Sequence, residues 1–214
     1  GARQVATWEN TGTLAAHAVA VDPTNAKMHG MLGGWYTEES RHATDAAEAQ
    51  KFAALAEQSF RAAVDLKPSA YNLDRLGYAL MRQNRYPEAK ALFERALAIA
   101  PDDAQVMNHL GGTYDALNQV HDAEEWMRKS LASDPSNVQA TQNLGWILER
   151  QNKFAEAEAQ FRRAIELLPA NARAEWRLGT VYRKTQRWDE AIHWLQLALA
   201  HGLTPGDRQQ AEAE

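Results

Sequence analysis

The sequence contains no cysteine, which removes disulfides, thiolate metal sites and cysteine nucleophiles and leaves the redox compartment undetermined. It also lacks any run approaching the roughly 18 apolar residues that a membrane helix needs. No signal-peptide pattern is read within these residues. There is no excess of basic charge: 23 Lys and Arg stand against 28 Asp and Glu, net −5, so the global footprint of a nucleic-acid binder is missing.

Catalytic signatures are missing too. Seven histidines are present, yet none forms an HExxH or a similarly close pair, and the carboxylates are scattered over helix faces. Gly33-Gly34 and Gly111-Gly112 are not phosphate loops, because no Gly-Lys-Ser/Thr follows either pair. No nucleophile elbow occurs. The expectation is a protein without enzyme activity, cofactor or metal.

What the sequence does have is repetition. Leu76-Gly77, Leu110-Gly111, Leu144-Gly145 and Leu178-Gly179 are spaced by 34 residues each. Three residues after each glycine comes Leu80, Tyr114, Leu148 or Tyr182, and nine further on Ala89, Ala123, Ala157 or Ala191. Phe93, Met127, Phe161 and Leu195 follow, then Ala96, Ser130, Ala164 and Ala198, and Pro101, Pro135 and Pro169 close the first three units. A period between 20 and 50 residues is the mark of stacked repeats, and 3- and 4-residue apolar spacing within each unit makes two helices. The glycines lie on apolar faces and imply a close approach, with Ala89, Ala123, Ala157 and Ala191 as the expected facing surface. Ser69, Asp103, Asn137 and Asn171 precede each unit as N-caps.

These residues resemble the tetratricopeptide repeat (TPR) family over 70–205. The resemblance implies an all-α fold, a right-handed α-solenoid of antiparallel helix pairs. The repeat register divides the chain into a lead-in and partial repeat at 1–25, a repeat with an insertion at 26–69, and regular repeats at 70–103, 104–137, 138–171 and 172–205. Residues 206–214 read as the start of a further helix or cap, after a helix C-cap at His201-Gly202 and an N-cap and first turn at Thr204-Pro205. Residues 1–10 carry little pattern, whereas Thr13–Val21 resembles a second helix without its first. Both ends read as a piece of a longer array. The insertion shows as 20 residues from Tyr36 to Ala56 against 9 from Leu80 to Ala89, and predicts a longer helix–helix turn plus extra turns on the second helix.

In this family first helices line a concave groove. By analogy the groove-facing candidates are Tyr71, Arg75 and Tyr78, then Asn108 and His109, then Gln142, Asn143 and Trp146, and finally Arg173, Trp176, Arg177 and Arg183. Arg75, His109, Asn143 and Arg177 occupy one repeated position, and all can donate hydrogen bonds to an extended peptide. Arg173, Arg177, Arg183, Lys184 and Arg187 oppose only Glu175 between residues 172 and 187, which predicts attraction of carboxylates. Some family members grip a C-terminal carboxylate in a two-carboxylate clamp. Asn143, Arg173 and Arg177 match three of its positions, while Asn108 and Gly112 depart from the other two. Trp146 and Trp176 could anchor a ligand or pack between helices. Tyr86, Phe154, Trp188, Trp126 and Trp194 are expected in packing.

The resemblance therefore implies a non-enzymatic scaffold that binds a peptide or protein segment, acidic in character, in its groove. Two other readings are a structural spacer or self-associating module, and a polysaccharide-binding module working through Trp and Tyr. The style of the repeats is similar to periplasmic TPR segments of bacterial outer-membrane proteins in phage adsorption and exopolysaccharide export. That resemblance implies a periplasmic setting, with neither nucleic acid nor membrane insertion.

Overall fold

A computed structural model describes the backbone of residues 2–203, with side chains from residue 11 onwards. The further helix expected from Thr204-Pro205 and across 206–214 lies outside the described residues. Eleven helices are described: α1 (Ala2–Val21), α2 (Ala26–His42), α3 (Ala46–Leu66), α4 (Ala70–Arg82), α5 (Tyr86–Ile99), α6 (Ala104–Ala116), α7 (Val120–Ser133), α8 (Val138–Arg150), α9 (Phe154–Leu167), α10 (Ala172–Lys184) and α11 (Trp188–His201). No strand occurs among the described residues. The chain divides into two compact units, residues 1–113 and 114–214.

Capping sets the helix starts. Ser69, Asn137 and Asn171 accept from the N–H groups of Asn72, Ala140 and Ala174. Asp103 accepts from Gln105 and Val106. Each satisfies part of the orphan donor set of a first turn, worth about 1 kcal/mol per cap. At the other end Gly202 takes φ 84° and closes α11, as expected. Between first and second helices the chain reverses through Asn84, Asn118, Asn152 and Gln186, all with φ near 60°. Asparagine tolerates this left-handed conformation better than other non-glycine residues.

Three expectations need correction. Residues 2–10 are helical and belong to α1 instead of forming a patternless lead-in. The insertion lengthens both helices and leaves the turn unchanged. Helix α2 has 17 residues against 13 in α4, and α3 has 21 against 14 in α5. Residues 43–45 and 83–85 are turns of equal length. The third correction concerns the glycines. A Cβ at Gly33, Gly77 or Gly145 would lie 2.7–2.8 Å from the ring of Phe60, Phe93 or Phe161, so the missing side chain makes room for an aromatic ring instead of an alanine. At Gly179 the neighbour is Leu195, with the Ala191 carbonyl at 3.3 Å.

In the first unit α2 packs on α3, α3 on α4 and α4 on α5, around buried Phe60, Leu73, Leu76, Leu80 and Phe93. In the second, α7 to α11 pack in sequence around Met127, Leu144, Leu148, Phe161, Leu178 and Tyr182. Successive second helices are also tied by ion pairs at 2.8 Å: Arg85 to Glu57 in the first unit, Lys153 to Glu124 and Arg187 to Glu158 in the second. Exposed pairs of this kind contribute about 0–1 kcal/mol each.

Candidate functional site

Helices α8 and α10 start from matching asparagine caps, and that fixes which side chains meet. The Gln142 amide donates to Asn171 Oδ1 at 2.7 Å, tying the body of α8 to the cap of α10. Between these helices, with Phe161 of α9 at its side, lies a cavity of about 180 Å³ lined by Gln142, Asn143, Trp146, Arg173 and Arg177. Five of the twelve sequence candidates are thus brought together. Asn143 accepts from the Gln139 amide at 3.0 Å, and the Trp146 indole donates to Asp115 Oδ2 at 3.2 Å.

Arg177 forms the cationic wall. Its guanidinium sits 4.0 Å from the Trp146 ring centroid and 4.2 Å from that of Trp176, a double cation–π arrangement. It also lies 3.8 Å from Glu149 Oε2, whose side chain is fully buried, while Lys184 Nζ is 2.7 Å from Glu149 Oε1. Arg173, by contrast, is exposed at the cavity mouth. It also borders a wider depression of about 610 Å³ that reaches Leu168 and His201.

The remaining candidates are placed elsewhere. Trp176 is 3 % exposed and packs with Ala198 and Leu203, so it belongs to the core and cannot anchor a ligand from the surface. Arg183 is half-buried on α10, outside the cavity lining. In the first unit Tyr71 is exposed, Tyr78 half-buried and Asn108 buried. Asp74 lies 2.6 Å from both Arg75 Nη2 and His109 Nδ1, so these two donors turn towards a buried carboxylate instead of standing in an open ladder. Burial pushes the Asp74 carboxyl up, but His109 and Arg75 outweigh it and hold it below the usual carboxylate value.

The basic end is also more balanced than its sequence implies. Glu149 meets Arg177 and Lys184, Glu158 and Glu190 meet Arg187, and His201 lies 2.8 Å from Glu175. Sequence distance hid the Glu149 partners, since Lys184 lies 35 residues away. Trp188, expected in packing, is instead 58 % exposed. Tyr86, Phe154, Trp126 and Trp194 are half-buried, with Phe154 and Trp194 packed on the second unit's core.

A stack of capped helix hairpins with small residues beneath aromatic rings defines a helical-repeat protein. Models of the tetratricopeptide repeat match residues 66–136, 126–159 and 143–208, which together run without a gap. The chain belongs to the tetratricopeptide repeat family, whose members are protein–protein interaction scaffolds and generally not enzymes. No curated protein matches it in sequence. Its fold is similar to that of Pseudomonas aeruginosa PilF, at 20% identity over 98% of this chain and 91% of that one, TM-score 0.76. YrrB, described as a TPR protein with an unusual peptide-binding site, is similar at 19% identity over 94% and 98%, TM-score 0.63. MamA is similar at 17% identity over 79% and 99%, TM-score 0.64. At these identities the likeness is one of fold.

Proposed function

We propose that this scaffold binds an acidic peptide or protein segment at the cavity between α8 and α10. The observation that carries the reading is the convergence of Asn143, Trp146, Arg173 and Arg177 on one concave surface. Arg173 supplies a guanidinium at the mouth, Arg177 a second one in the wall, and Trp146 an aromatic side. A ligand carboxylate entering there gains charge-assisted hydrogen bonds worth roughly 1.5–3 kcal/mol each. The cavity volume admits one side chain or one terminal carboxylate and no more, so affinity comes from a segment that continues over the neighbouring surface. That YrrB, of the same fold, is described as having a peptide-binding site agrees in kind.

Calorimetry with a panel of acidic peptides, free and amidated at the C-terminus, tests this. Micromolar affinity corresponds to about −8 kcal/mol. Arg173→Ala is the decisive variant, because Arg173 is exposed at the mouth, and a thermal melt checks that the fold is kept. Binding weakened tenfold or more in that variant supports the reading. Binding unchanged by Arg173→Ala, or absent with every acidic peptide, overturns it.

A further inference from the structure

The first unit carries a groove in the same repeat register as the second unit's site, but with different chemistry. The register follows from the caps. Asn25 caps α2 by accepting from Met28 N–H, as Asn137 caps α8, and Ser69 caps α4 as Asn171 caps α10. Counting from these caps, Gly30 stands where the second unit has Gln142, Met31 where it has Asn143, and Tyr71 where it has Arg173. Three polar side chains are replaced by nothing, a thioether and a phenol ring.

The result is a concavity of about 420 Å³ lined by Gly30, Met31, Tyr71 and Asn72, with Lys27 and Lys67 at its rim. That volume lies within the usual range of ligand pockets, about 300–1,000 Å³. Asn72 offers nothing to a ligand through its amide N–H groups, because they donate to the Ala63 and Lys67 carbonyls. Tyr71 is 64 % exposed, and the Arg75 guanidinium lies over its ring at 5.5 Å from the centroid, so the rest of the phenol ring is open to a ligand. No carboxylate lines the groove, and neither lysine pairs with one among the described residues. An apolar floor between two unneutralised ammonium groups sets the chemistry of what fits.

We propose that this groove is a second binding site, distinct from the α8–α10 cavity, for an acidic polypeptide segment that inserts one aromatic or long aliphatic side chain over Met31 and Tyr71. The inserted side chain covers the phenol ring and the thioether, which adapts to irregular shapes. Flanking carboxylates meet Lys27 and Lys67 at the rim, so the ligand needs both an apolar residue and acidic neighbours.

Gly30 provides a clean test. A Cβ there meets only Asn72 Oδ1, at an ordinary 3.7 Å, so a side chain can grow into the groove without clash. Gly30→Gln restores the occupant that the second unit has, and a glycine removed from a helix interior raises stability. The probe is the peptide Ac-Glu-Glu-Phe-Glu-Glu-NH2, added to the full chain carrying ¹³C-methyl methionine. Met31→Leu assigns the resonance. The expected result is a shift of the Met31 methyl signal, absent when Phe is replaced by Ala or Glu by Lys. Gly30→Gln weakens the response at least tenfold with an unchanged or higher Tm, Tyr71→Ala weakens it likewise, and Arg173→Ala leaves it unaltered. A Met31 signal unmoved by the probe, an equal response to the lysine peptide, or undiminished binding by Gly30→Gln overturns the proposal.

Discussion

Adjacent glycines in α2 provide a test in which the sign of an effect is set by space alone. Gly33 and Gly34 share one helix, so replacing either by alanine brings the same gain in helix propensity, about 1 kcal/mol. Their surroundings differ. A Cβ at Gly33 would lie 2.8 Å from two carbons of the Phe60 ring and 2.9 Å from a third, whereas one at Gly34 meets nothing within 4 Å. Carbon atoms rest at about 3.5–4.0 Å, so the ring must retreat by roughly 0.7 Å or more. Phe60 is only 3 % exposed, which leaves it little room to do so. Overpacking of this kind costs about 1–3 kcal/mol. Gly34→Ala should therefore stabilise the protein by up to about 1 kcal/mol. Gly33→Ala should destabilise it by up to about 2 kcal/mol, the packing cost less the propensity gain. Urea unfolding followed by far-UV circular dichroism measures both. If the two variants shift the midpoint in the same direction by similar amounts, the packing argument for the repeated glycine is refuted.

Ala170 holds φ 58° in the turn before α10. Ala170→Gly removes an αL cost of about 1–2 kcal/mol and returns about 0.4–1 kcal/mol as unfolded-chain entropy, so a net gain of roughly 0.5–1 kcal/mol is expected by thermal melting. Glu124 gives a pH dependence. Burial pushes its carboxyl up, but hydrogen bonds from Lys153, Arg128 and Gln151 prevail and hold it at about 2, below its ordinary 4.5. A depressed carboxyl contributes stability above pH 4.5 that is lost as pH falls towards 2. Allowing for solvent around these side chains, the contribution is about 1–2 kcal/mol at neutral pH. Urea midpoints of the protein and of Glu124→Gln should differ at pH 7 and converge near pH 2; a constant gap across that range contradicts the assignment. Arg177→Ala should cost roughly 1–3 kcal/mol, since buried Glu149 keeps Lys184 but loses its second cation, and the two indole rings lose their cation–π partner. A loss below about 1 kcal/mol would show that the pair is not a desolvated one.

The frame was legible because its determinants are local or periodic. Ser69, Asp103, Asn137 and Asn171 act within one helical turn, and the Leu-Gly pairs repeat with the helix hairpin itself. Asn84, Asn118 and Asn152 also recur every 34 residues, and that spacing was available as a signal for the αL turn. What escaped the sequence was pairing at long range. Arg177 and Lys184 reach Glu149 on the preceding first helix, and His109 reaches Asp74 across 35 residues, so groups that look unopposed along the chain are opposed in space. Trp188 was misjudged, and the sequence leaves Trp176 open between anchor and core, for a related reason. Each is apolar at a helical spacing, and only the packed neighbours decide that one is core and the other exposed.

That distinction bears on how a repeat of this kind acquires a ligand. Positions held by the frame, such as Gly145 under Phe161, leave little choice of side chain. Positions two, five and six residues after a cap do not touch the frame in this way, and the chain fills them differently in each unit. Gln142, Asn143 and Arg173 make a polar, cationic recess, whereas Gly30, Met31 and Tyr71 make an apolar one rimmed by lysines. The backbone that presents them is the same capped helix in both cases. Binding chemistry thus follows from a few substitutable side chains on a repeated scaffold, and an Arg in such a register has meaning only once its carboxylate partners are known. Arg173 and Arg177 are separated by one helical turn and share one cavity. Arg173 stands exposed at the solvent boundary. Arg177 is held between two indole rings beside Glu149, and there it shapes the cavity wall.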